Sequence, residues 1–395
     1  MKLEPIITSL LDTDLYKFNM DQVIFHKHTD LNGEYYFKCR NENIVFTPEM
    51  LEEINDQIDY LCSLRFHKDE LDYLRSIRFI KSDYVEFLRL WHPIREYVHT
   101  GLSDSGELLL TVKGPMFSAM QFEIYLLEIV NEVYFRLHYD YATLEASARA
   151  RLEQKIKDFN SGKYTFSFAE FGSRRRLSRQ WQDEVVRRLA TETKNCAGTS
   201  NVYLAWKYNL TPIGTYAHEF VQMYQGIDSI PLANHYAMAD WYDEYRGDNG
   251  TALTDTITTD LFLYDFDRSM VNNYSGVRHD SGDPYEWGEK MIRHFQKYGV
   301  DPRTKVLLFS DSLDFDHAQK LYDYFREKTK VSFGIGTFVT NDTCEQALNI
   351  VIKLQYVNGR PVAKLSDAHG KEMCQDDDYL SYLKRSVDFR LNREK

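Results

Sequence analysis

The second part of the chain is constrained by a repeated alternation of short β-rich runs with helical segments. The runs follow Lys163 and are, in order, 165–171 (TFSFAEF), 211–215 (TPIGT), 251–257 (TALTDTI), 276–280 (GVRHD), 305–311 (KVLLFSD) and 331–337 (VSFGIGT). Amphipathic helical spacing fills the intervals at 178–194, 229–246, 284–298 and 314–327. Strands alternating with helices are typical of a parallel sheet covered by helices. Six or seven such units favour an irregular α/β barrel of the TIM type over an open sheet.

The segments before and after this alternation mix helix and strand differently. The earlier part predicts strands at 34–39 and 108–113, helices at 50–65 and 68–77, and two long helices over 116–159. The tail, 350–367, reads as a hairpin with Asn358-Gly359 at its turn. We expect this hairpin to fold back onto the N-terminal sheet.

Composition limits the partners and the compartment. A chain of 395 residues suits about two domains. The formal charge is −12 and Lys and Arg form no long stripe, so nucleic-acid binding is not expected. The cysteines are odd in number, widely spaced and without a CxxC pair, which argues against disulfides or a zinc site and favours a reducing compartment.

A membrane location is also not expected. The N-terminus carries acidic residues where a signal peptide needs an apolar run. The apolar stretch 116–135 is interrupted by Glu123, Glu128 and Glu132, so it does not predict a membrane span. These features together predict a cytoplasmic protein.

Residues suited to chemistry follow the predicted strands. The residues at these ends are Gly172, Thr215, Asp255, Asp280, Asp311 and Gly336. In parallel α/β folds the active site is built at the carboxyl ends of the strands. We therefore expect the site at that end of the sheet.

Two of these strand ends carry charged motifs. FGSRRR (171–176) places three arginines beyond a strand, where guanidinium groups suit phosphate or carboxylate. RHDSGDP (278–284) places Asp280 at a strand end, where it could meet ribose hydroxyls or Mg²⁺ and stabilise positive charge at a sugar carbon. Asp283 and Pro284 of the same motif are also what an ordinary helix start requires.

The last two strand ends are rich in small residues. FSDSLD (309–314) and SFGIGT (332–337) let backbone N–H groups approach a phosphate, as after the last strands of many TIM barrels. GTYAHEF (214–220) places His218 directly after a predicted strand. By position alone a single histidine is more often structural than functional.

Taken together, these motifs resemble a known family. TDLYK (13–17), FGSRRR, GTSN (198–201), GTYAHEF, RHDSGDP, FSDSLD and FGIGT (333–337) stand in the order seen in bacterial nicotinate phosphoribosyltransferases of the type II phosphoribosyltransferase class. The resemblance covers nearly the whole chain. The related nicotinamide phosphoribosyltransferase shares several of the motifs.

The resemblance implies both a fold and a reaction. The fold would be an irregular α/β barrel at 126–344 with an α+β domain formed by 1–125 and 345–395, in a homodimer whose partners share each active site. The reaction would join nicotinate to phosphoribosyl pyrophosphate in NAD salvage, releasing pyrophosphate. ATP with Mg²⁺ would drive it through a phosphohistidine.

The resemblance also assigns roles to residues of this chain. His218 matches the phosphorylated histidine, with Glu219 beside it as a possible positioning residue. Phe171 and Tyr16 match the aromatic pair that sandwiches the pyridine ring. Arg174 matches an arginine near the carboxylate and phosphates.

Other matched positions concern the sugar and its phosphates. Asp280 matches the ribose-binding aspartate, with Arg278 nearby. The 5′-phosphate and ribose region is matched by Ser310, Asp311, Gly336 and Thr337. Asp14 and Lys17 are candidates for contacts with the pyrophosphate or the ring. Some relatives have Arg after GIGT where this chain has Phe338, so no phosphate contact is expected from that position.

Ser200 is the candidate for choosing between the acid and the amide. The nicotinamide enzyme has an aspartate at this position of its GTDT motif, which meets the amide. A hydroxyl would instead donate to a carboxylate, so Ser200 with Arg174 favours nicotinate. Alternatively, Ser200 caps the helix that follows.

Three other functions fit parts of the sequence. Quinolinate phosphoribosyl transfer would need more basic residues for two carboxylates and would not need His218. A TIM-barrel hydrolase would use Asp280 and Asp283 as an acid–base pair. A non-catalytic dimer would sense nucleotides. An assay for mononucleotide formation separates all of these.

Overall fold

The structure, a computed structural model, describes residues 3–367 and 372–392. Its α-helices are α1 (Leu15–Lys27), α2 (Pro48–Ser63), α3 (Lys68–Ser76), α4 (Ser82–Leu90), α5 (Met116–Ala119), α6 (Phe122–His138), α7 (Tyr141–Asn160), α8 (Arg179–Glu192), α9 (Val202–Tyr208), α10 (His218–Ile227), α11 (Ala233–Tyr245), α12 (Thr259–Asp265), α13 (Arg268–Asn273), α14 (Pro284–Lys297), α15 (Phe315–Phe325), α16 (Thr337–Thr340) and α17 (Asp377–Asn392). Its strands are β1 (Asn32–Cys39), β2 (Val98–Leu102), β3 (Leu108–Pro115), β4 (Phe168–Glu170), β5 (Cys196–Thr199), β6 (Arg246–Asn249), β7 (Thr251–Leu253), β8 (Gly276–His279), β9 (Val306–Phe309), β10 (Lys330–Ile335), β11 (Ile350–Val357) and β12 (Arg360–Pro361).

The chain forms two compact units. The first, unit 1, comprises the described residues up to 29 together with 34–214 and 335–353. The second, unit 2, comprises 30–33, 215–334 and the described residues from 354 onward. The predicted domains, 1–125 with 345–395 and 126–344, divide the chain elsewhere and stay a prediction.

Unit 1 contains an antiparallel sheet and a parallel strand pair. β2 pairs with β3 from Val98↔Val112 to Leu102↔Leu108, and β1 lies between β3 and the start of β11. β4 and β5 are parallel, and the Phe171 N–H donates to the Ile335 carbonyl at 2.9 Å. The carboxyl ends of β4, β5 and β10 are therefore brought together.

The core of unit 1 fixes the segment that carries Tyr16. Helix α1 packs its buried apolar residues against α3, α4 and the start of α9 in one cluster: Leu11, Leu15, Phe18, Leu71, Leu74, Ile77, Ile80, Tyr84, Val85, Leu88 and Val202. Helix α6 is buried over nearly its whole length. Burial of this much apolar surface anchors both helices.

Unit 2 is built on parallel strands in the order β7-β8-β9-β10. β8 pairs with β9 from Gly276↔Val306 to His279↔Phe309, so the residues that follow these strands lie at one end of the sheet. β11 and β12 form the predicted hairpin, with Asn358 and Gly359 at φ of 48° and 72°. Positive φ at both positions is what a two-residue hairpin turn requires.

The predicted α/β class is confirmed, with one strand misplaced. Residues 211–215 form no strand; Pro212 makes a single bridge to Thr199. Proline has no N–H for a ladder, and a Cβ on Gly214 would lie 2.8 Å from the Tyr16 nitrogen. His218 consequently follows no strand and is instead the first residue of α10. The prediction missed β5 in the parallel sheet, and it also missed β2 and β6.

Candidate active site

A cluster of ionisable and hydroxyl side chains in unit 2 lies at the ends of three strands and the start of one helix. His218 begins α10, Asp255 follows β7, Asp280 follows β8 and Ser310 follows β9. With Arg278 and Lys364, these residues form what we call the His218 cluster. Parallel strands place such ends at one edge of the sheet, as the sequence predicted.

The imidazole of His218 is bound to a buried carboxylate. Its Nε2 lies 2.9 Å from Asp255 Oδ1 and 3.5 Å from Asp280 Oδ2. Burial and the nearby Lys364 charge lower the pKa of His218, so the ring is neutral at pH 7. The sequence singled out Asp255 only as a strand-end residue and assigned it no role.

Asp255 is held ionised by its neighbours. Burial alone would raise the pKa of Asp255, but His218, Lys364 and Ser281 hold it well below its usual range. Its Oδ2 accepts from Ser281 Oγ at 2.5 Å and lies 2.9 Å from Lys364 Nζ. An ionised carboxylate only accepts hydrogen bonds, so Nε2 of His218 carries the proton and Nδ1 keeps its lone pair.

Lys364 is a residue of this cluster that no motif predicted. It follows the β11–β12 hairpin and is buried. A lysine in a predicted hairpin gives no functional signal by itself. Its position opposite Asp255 becomes visible only when the tail is placed against β7.

Asp280 is anchored on one side and partly open on the other. Its Oδ1 accepts from Arg278 and from Ser310 Oγ, both at 3.1 Å. Burial would raise the pKa of Asp280, but Arg278 and His218 lower it to about 2. Its side chain is 22% exposed, so an anionic oxygen is available to a ligand. Arg278 also donates to Ser310 Oγ at 2.9 Å.

The other acids of these loops have different surroundings. Asp283 accepts from the N–H groups of Tyr285 and Glu286 at 2.9 and 2.8 Å, so it is the N-cap of α14. Asp311 lies next to Ser312, whose hydroxyl donates to it at 3.0 Å. Asp283 is therefore a capping residue, which removes the acid–base pair required by the hydrolase alternative.

Unit 1 carries a separate group of charges around Glu123. Lys17 Nζ lies 2.6 Å from Glu123 Oε2, while Lys353 and Arg174 lie 3.5 and 4.0 Å from Oε1. Burial would raise the pKa of Glu123, but Lys17, Lys353 and Arg174 lower it to about 2. Three cations around one carboxylate leave net positive charge, which suits an anionic ligand.

The three arginines of FGSRRR have different contacts and differ in exposure. Arg176 is buried and binds Asp12 through both guanidinium arms at 2.7 and 2.9 Å. Arg175 donates to the Ile350 carbonyl and to Asn349. Arg174 is 37% exposed beside Glu123. Arg175 is partly exposed as well, but its guanidinium is held by Ile350 and Asn349, so Arg174 is the better candidate for binding a substrate.

The residues predicted to hold the pyridine ring also lie in unit 1. Phe171 follows β4, and Ser200 follows β5 with its side chain buried. Ser200 Oγ donates to Asp14 Oδ1 at 2.6 Å, and burial raises the pKa of Asp14. Asn201, not Ser200, caps α9 by accepting from the Leu204 N–H. The alternative role of Ser200 as a helix cap is therefore wrong.

Gly336 and Thr337 lie at the start of α16 in unit 1. A Cβ on Gly336 would lie 2.8 Å from the Phe171 carbonyl oxygen. This close approach explains the glycine, because any side chain would push β10 away from the residue that follows β4. Ser310 and Asp311 belong to unit 2.

One group of side chains in the described residues has metal-ligating geometry. Ligand atoms of His218, Asp255 and Asp280 lie within 4.8 Å of one another. In residues 3–367 and 372–392, no helix combines the length and apolar character needed to cross a membrane.

An α/β scaffold with a histidine–aspartate pair, a partly exposed aspartate and cationic groups suits an enzyme that acts on a phosphorylated, anionic substrate. Comparison with known families places the chain within this class. Residues 166–391 match the nicotinate phosphoribosyltransferase (NAPRTase) family, and residues 11–131 match the NAPRTase N-terminal domain. The chain therefore belongs to the nicotinate phosphoribosyltransferase family of phosphoribosyltransferase enzymes.

Individual relatives agree with this assignment. The nicotinate phosphoribosyltransferase of Chromobacterium violaceum is 48% identical, covering 97% of this chain and 98% of that protein. The crystal structure of nicotinate phosphoribosyltransferase from Vibrio cholerae aligns with a TM-score of 0.92 at 38% identity, over 97% of this chain and 94% of that one. The corresponding structure from Porphyromonas gingivalis gives 0.89 at 33% identity, over 96% and 100%.

Proposed function

We propose that this protein makes nicotinate mononucleotide from nicotinate and phosphoribosyl pyrophosphate for NAD salvage, with the reaction driven by ATP through a phosphohistidine at His218. The observation that carries the proposal is the hydrogen bond between His218 Nε2 and the ionised Asp255. It leaves a neutral imidazole with Nδ1 available, which is the form that attacks phosphorus.

The phosphoryl step follows from that geometry. Nδ1 of His218 attacks the γ-phosphorus of ATP, the N–P bond forms, and the bond to the bridging oxygen breaks with its electron pair leaving on ADP. The ring becomes a cation while Nε2 keeps its proton. Asp255 and Asp280, at 2.9 and 3.5 Å, stabilise that charge. Hydrolysis of the N–P bond by water then returns the neutral histidine.

The ribosyl step uses the open side of Asp280. Its carboxylate suits the ribose hydroxyls, and its charge stabilises the positive charge that develops at the sugar carbon when pyrophosphate leaves. Arg278 and Ser310 fix the carboxylate in place. In unit 1, the cations Lys17, Lys353 and Arg174 suit the negative charges of the substrates.

Mg²⁺ is expected to enter with the phosphates of the substrates. Mg²⁺ prefers oxygen ligands, and the exposed carboxylate of Asp280 is the suitable protein ligand of the three with metal-ligating geometry. Bound there, the ion would neutralise phosphate charge. His218 fits less well, because its ligand atom is an imidazole nitrogen and Mg²⁺ prefers oxygen.

The test is the reaction itself. Protein mixed with nicotinate, phosphoribosyl pyrophosphate and Mg-ATP should form nicotinate mononucleotide, pyrophosphate and ADP. Omission of ATP should slow the reaction, and quinolinate should give no product. Mononucleotide formation without any effect of ATP would contradict the coupling and leave the ribosyl transfer standing.

We further propose a cytoplasmic homodimer. All five cysteines are free thiols, as a reducing compartment would keep them. The dimer rests on the family resemblance, which implies that Tyr16 of one subunit completes the ring site of its partner.

The shared site predicts complementation between two impaired variants. Tyr16→Ala impairs the ring site and His218→Ala impairs phosphorylation, so a mixed dimer has one active site with both residues intact and one with both replaced. Mixing the two proteins should restore up to about a quarter of wild-type activity per subunit, given random exchange into dimers. Exchange is followed by mass after tagging one variant. Proven exchange with no recovered activity would exclude a shared site.

Ser200 predicts the choice of pyridine. Its hydroxyl can donate to the nicotinate carboxylate once Asp14 holds the proton between them, which the raised pKa of Asp14 favours. Ser200→Asp adds a negative charge at that point. We expect kcat/KM for nicotinate to fall about 100-fold and nicotinamide use to rise relative to it.

The matched control for this change is Ser200→Asn, which has the same size as aspartate and no charge. It should reduce nicotinate use much less than Ser200→Asp does. Equal losses in both variants would mean that size, not charge, is excluded at this position. An unchanged preference in Ser200→Asp would locate the selectivity elsewhere.

A further inference from the structure

Glu170 is a fully buried carboxylate at the end of β4 that the proposed reaction does not use. Its Oε1 accepts from the Gly172 N–H at 2.5 Å, and its Oε2 accepts from Thr199 Oγ1 at 2.6 Å. The Gln182 amide donates to the two oxygens at 3.2 and 3.3 Å. These partners are all neutral. Burying a charge among neutral groups is energetically costly, so a buried glutamate at this position is expected to have a structural or functional role.

The partners of Glu170 flank the residues assigned to the pyridine ring. Gly172 follows Phe171 directly, and Thr199 directly precedes Ser200. The Glu170 carbonyl also accepts from the Ser200 N–H at 2.8 Å. One residue therefore binds the backbone on both sides of the predicted ring site, through its side chain and its main chain.

The surroundings leave this segment little freedom to shift. A Cβ on Gly172 would lie 2.2 Å from Thr340 Oγ1 and 2.8 Å from Glu170 Oε1. Thr340 Oγ1 itself donates to the Gly172 carbonyl at 3.0 Å. The peptide after Phe171 is therefore held between Glu170 on one side and α16 on the other.

We propose that Glu170 is a positioning residue for nicotinate: it sets the separation of Phe171 and Ser200 without touching the substrate. The inference rests on the proposed function, because it takes these two residues as the ring site. A shift of the supporting shell of a binding site is enough to weaken binding strongly.

The hydrogen bonds of Glu170 also depend on its proton. Burial, and to a smaller extent the nearby Asp14 charge, raise the pKa of Glu170 to about 7, against the opposing hydrogen bonds from Thr199, Gly172 and Gln182. A protonated Glu170 would donate to Thr199, whose hydroxyl already accepts from the Asn201 N–H at 3.1 Å. The Thr199 proton would then lose its acceptor, so protonation should loosen the strand end that carries Ser200.

The experiment compares two substitutions. Glu170→Asp keeps the charge and shortens the reach, and should raise KM for nicotinate about 10- to 100-fold. KM for phosphoribosyl pyrophosphate should stay within about 2-fold of wild type, since none of the hydrogen-bond partners of Glu170 is a residue assigned to the ribose or its phosphates. Glu170→Gln carries a neutral amide that mimics the protonated acid at every pH. Glu153→Gln, on the exposed face of α7, is the control and should change neither constant.

The pH profile separates positioning from simple stabilisation. In the wild type, KM for nicotinate should rise as the pH falls through about 7, while Glu170→Gln should have a raised KM that lacks this rise. The folded protein should also lose stability as the pH rises from 4.5 to about 7 through this group, because its folded pKa is raised, and Glu170→Gln should lack that loss.

Two results would overturn the inference. One is a fall in Tm and kcat in Glu170→Asp with no selective change in KM for nicotinate. The other is a wild-type pH profile of KM that Glu170→Gln reproduces unchanged. An inactive wild type would instead contradict the proposed function, so the two failures are distinguishable.

Discussion

His218→Ala is expected to abolish transfer of label from γ-labelled ATP to the protein and to remove ATP stimulation of mononucleotide synthesis. The wild type should carry a label that is lost in acid and kept in base, as a phosphohistidine is. Slow uncoupled ribosyl transfer should remain, because Asp280 and its partners Arg278 and Ser310 are unchanged. Loss of a nucleophile removes its covalent step entirely, so the expected effect on labelling is complete.

A second substitution tests the proposed cause of the reactivity of His218. Asp255→Asn keeps the size of the side chain and removes the charge that fixes the proton on Nε2. Labelling should become much slower although His218 is still present. His99→Ala, on an exposed histidine of β2, is the control and should label normally. Label that persists in His218→Ala would assign the phosphoryl group to another residue.

The fold class could be predicted because its signals are local. The strands that became β4, β7, β8, β9 and β10 are short apolar runs between amphipathic helices, and that pattern is read directly from the sequence. Two exceptions have physical causes. The segment 211–215 has β-like composition, but Pro212 has no N–H to give. Strand β5 (Cys196–Thr199) is short and contains Ala and Gly, which carry little strand preference.

Helix α1 could not be predicted from hydrophobic periodicity. Nine of its residues are buried, on all sides of the helix, so no apolar stripe marks it in the sequence. Its polar residues, such as Lys17, Asn19 and Asp21, are buried with it. A helix enclosed on every side has no periodicity to detect.

The residues of the candidate site also fall into those that the sequence could reveal and those that it could not. Motifs identified His218, Asp280 and Arg174, because these residue types stand at recognisable positions. They missed the role of Asp255, which depends on a contact with His218 at 37 positions' separation. They also missed Lys364, which contacts Asp255 from about 100 positions further along the chain. Sequence spacing cannot show that the tail lies against β7. Glu170 was missed because a glutamate within a strand looks like an ordinary exposed residue.

Asp280→Asn is expected to lower kcat/KM for mononucleotide synthesis by about 30- to 1,000-fold, or about 2–4 kcal/mol in barrier terms. Asparagine keeps the shape of the side chain and its oxygen for Arg278. It removes the charge that, in the proposed mechanism, stabilises the positive sugar carbon. The loss should lie mainly in kcat, because the charge develops in the transition state.

The same loop supplies the control for this change. Asp283→Asn stands three residues further on, where the side chain caps α14 and is exposed. Asparagine is as good an N-cap as aspartate, so stability and kcat/KM should both stay near wild type.

Steady-state kinetics of the two variants at saturating Mg-ATP, with labelling of His218 measured in parallel, separate the ribosyl step from the phosphoryl step. A kcat/KM for Asp280→Asn within about 2-fold of wild type would exclude charge stabilisation by Asp280, because such an effect must exceed that range. Equal losses in both variants would mean that the loop tolerates no substitution, and the role assigned to the Asp280 charge would have to be withdrawn.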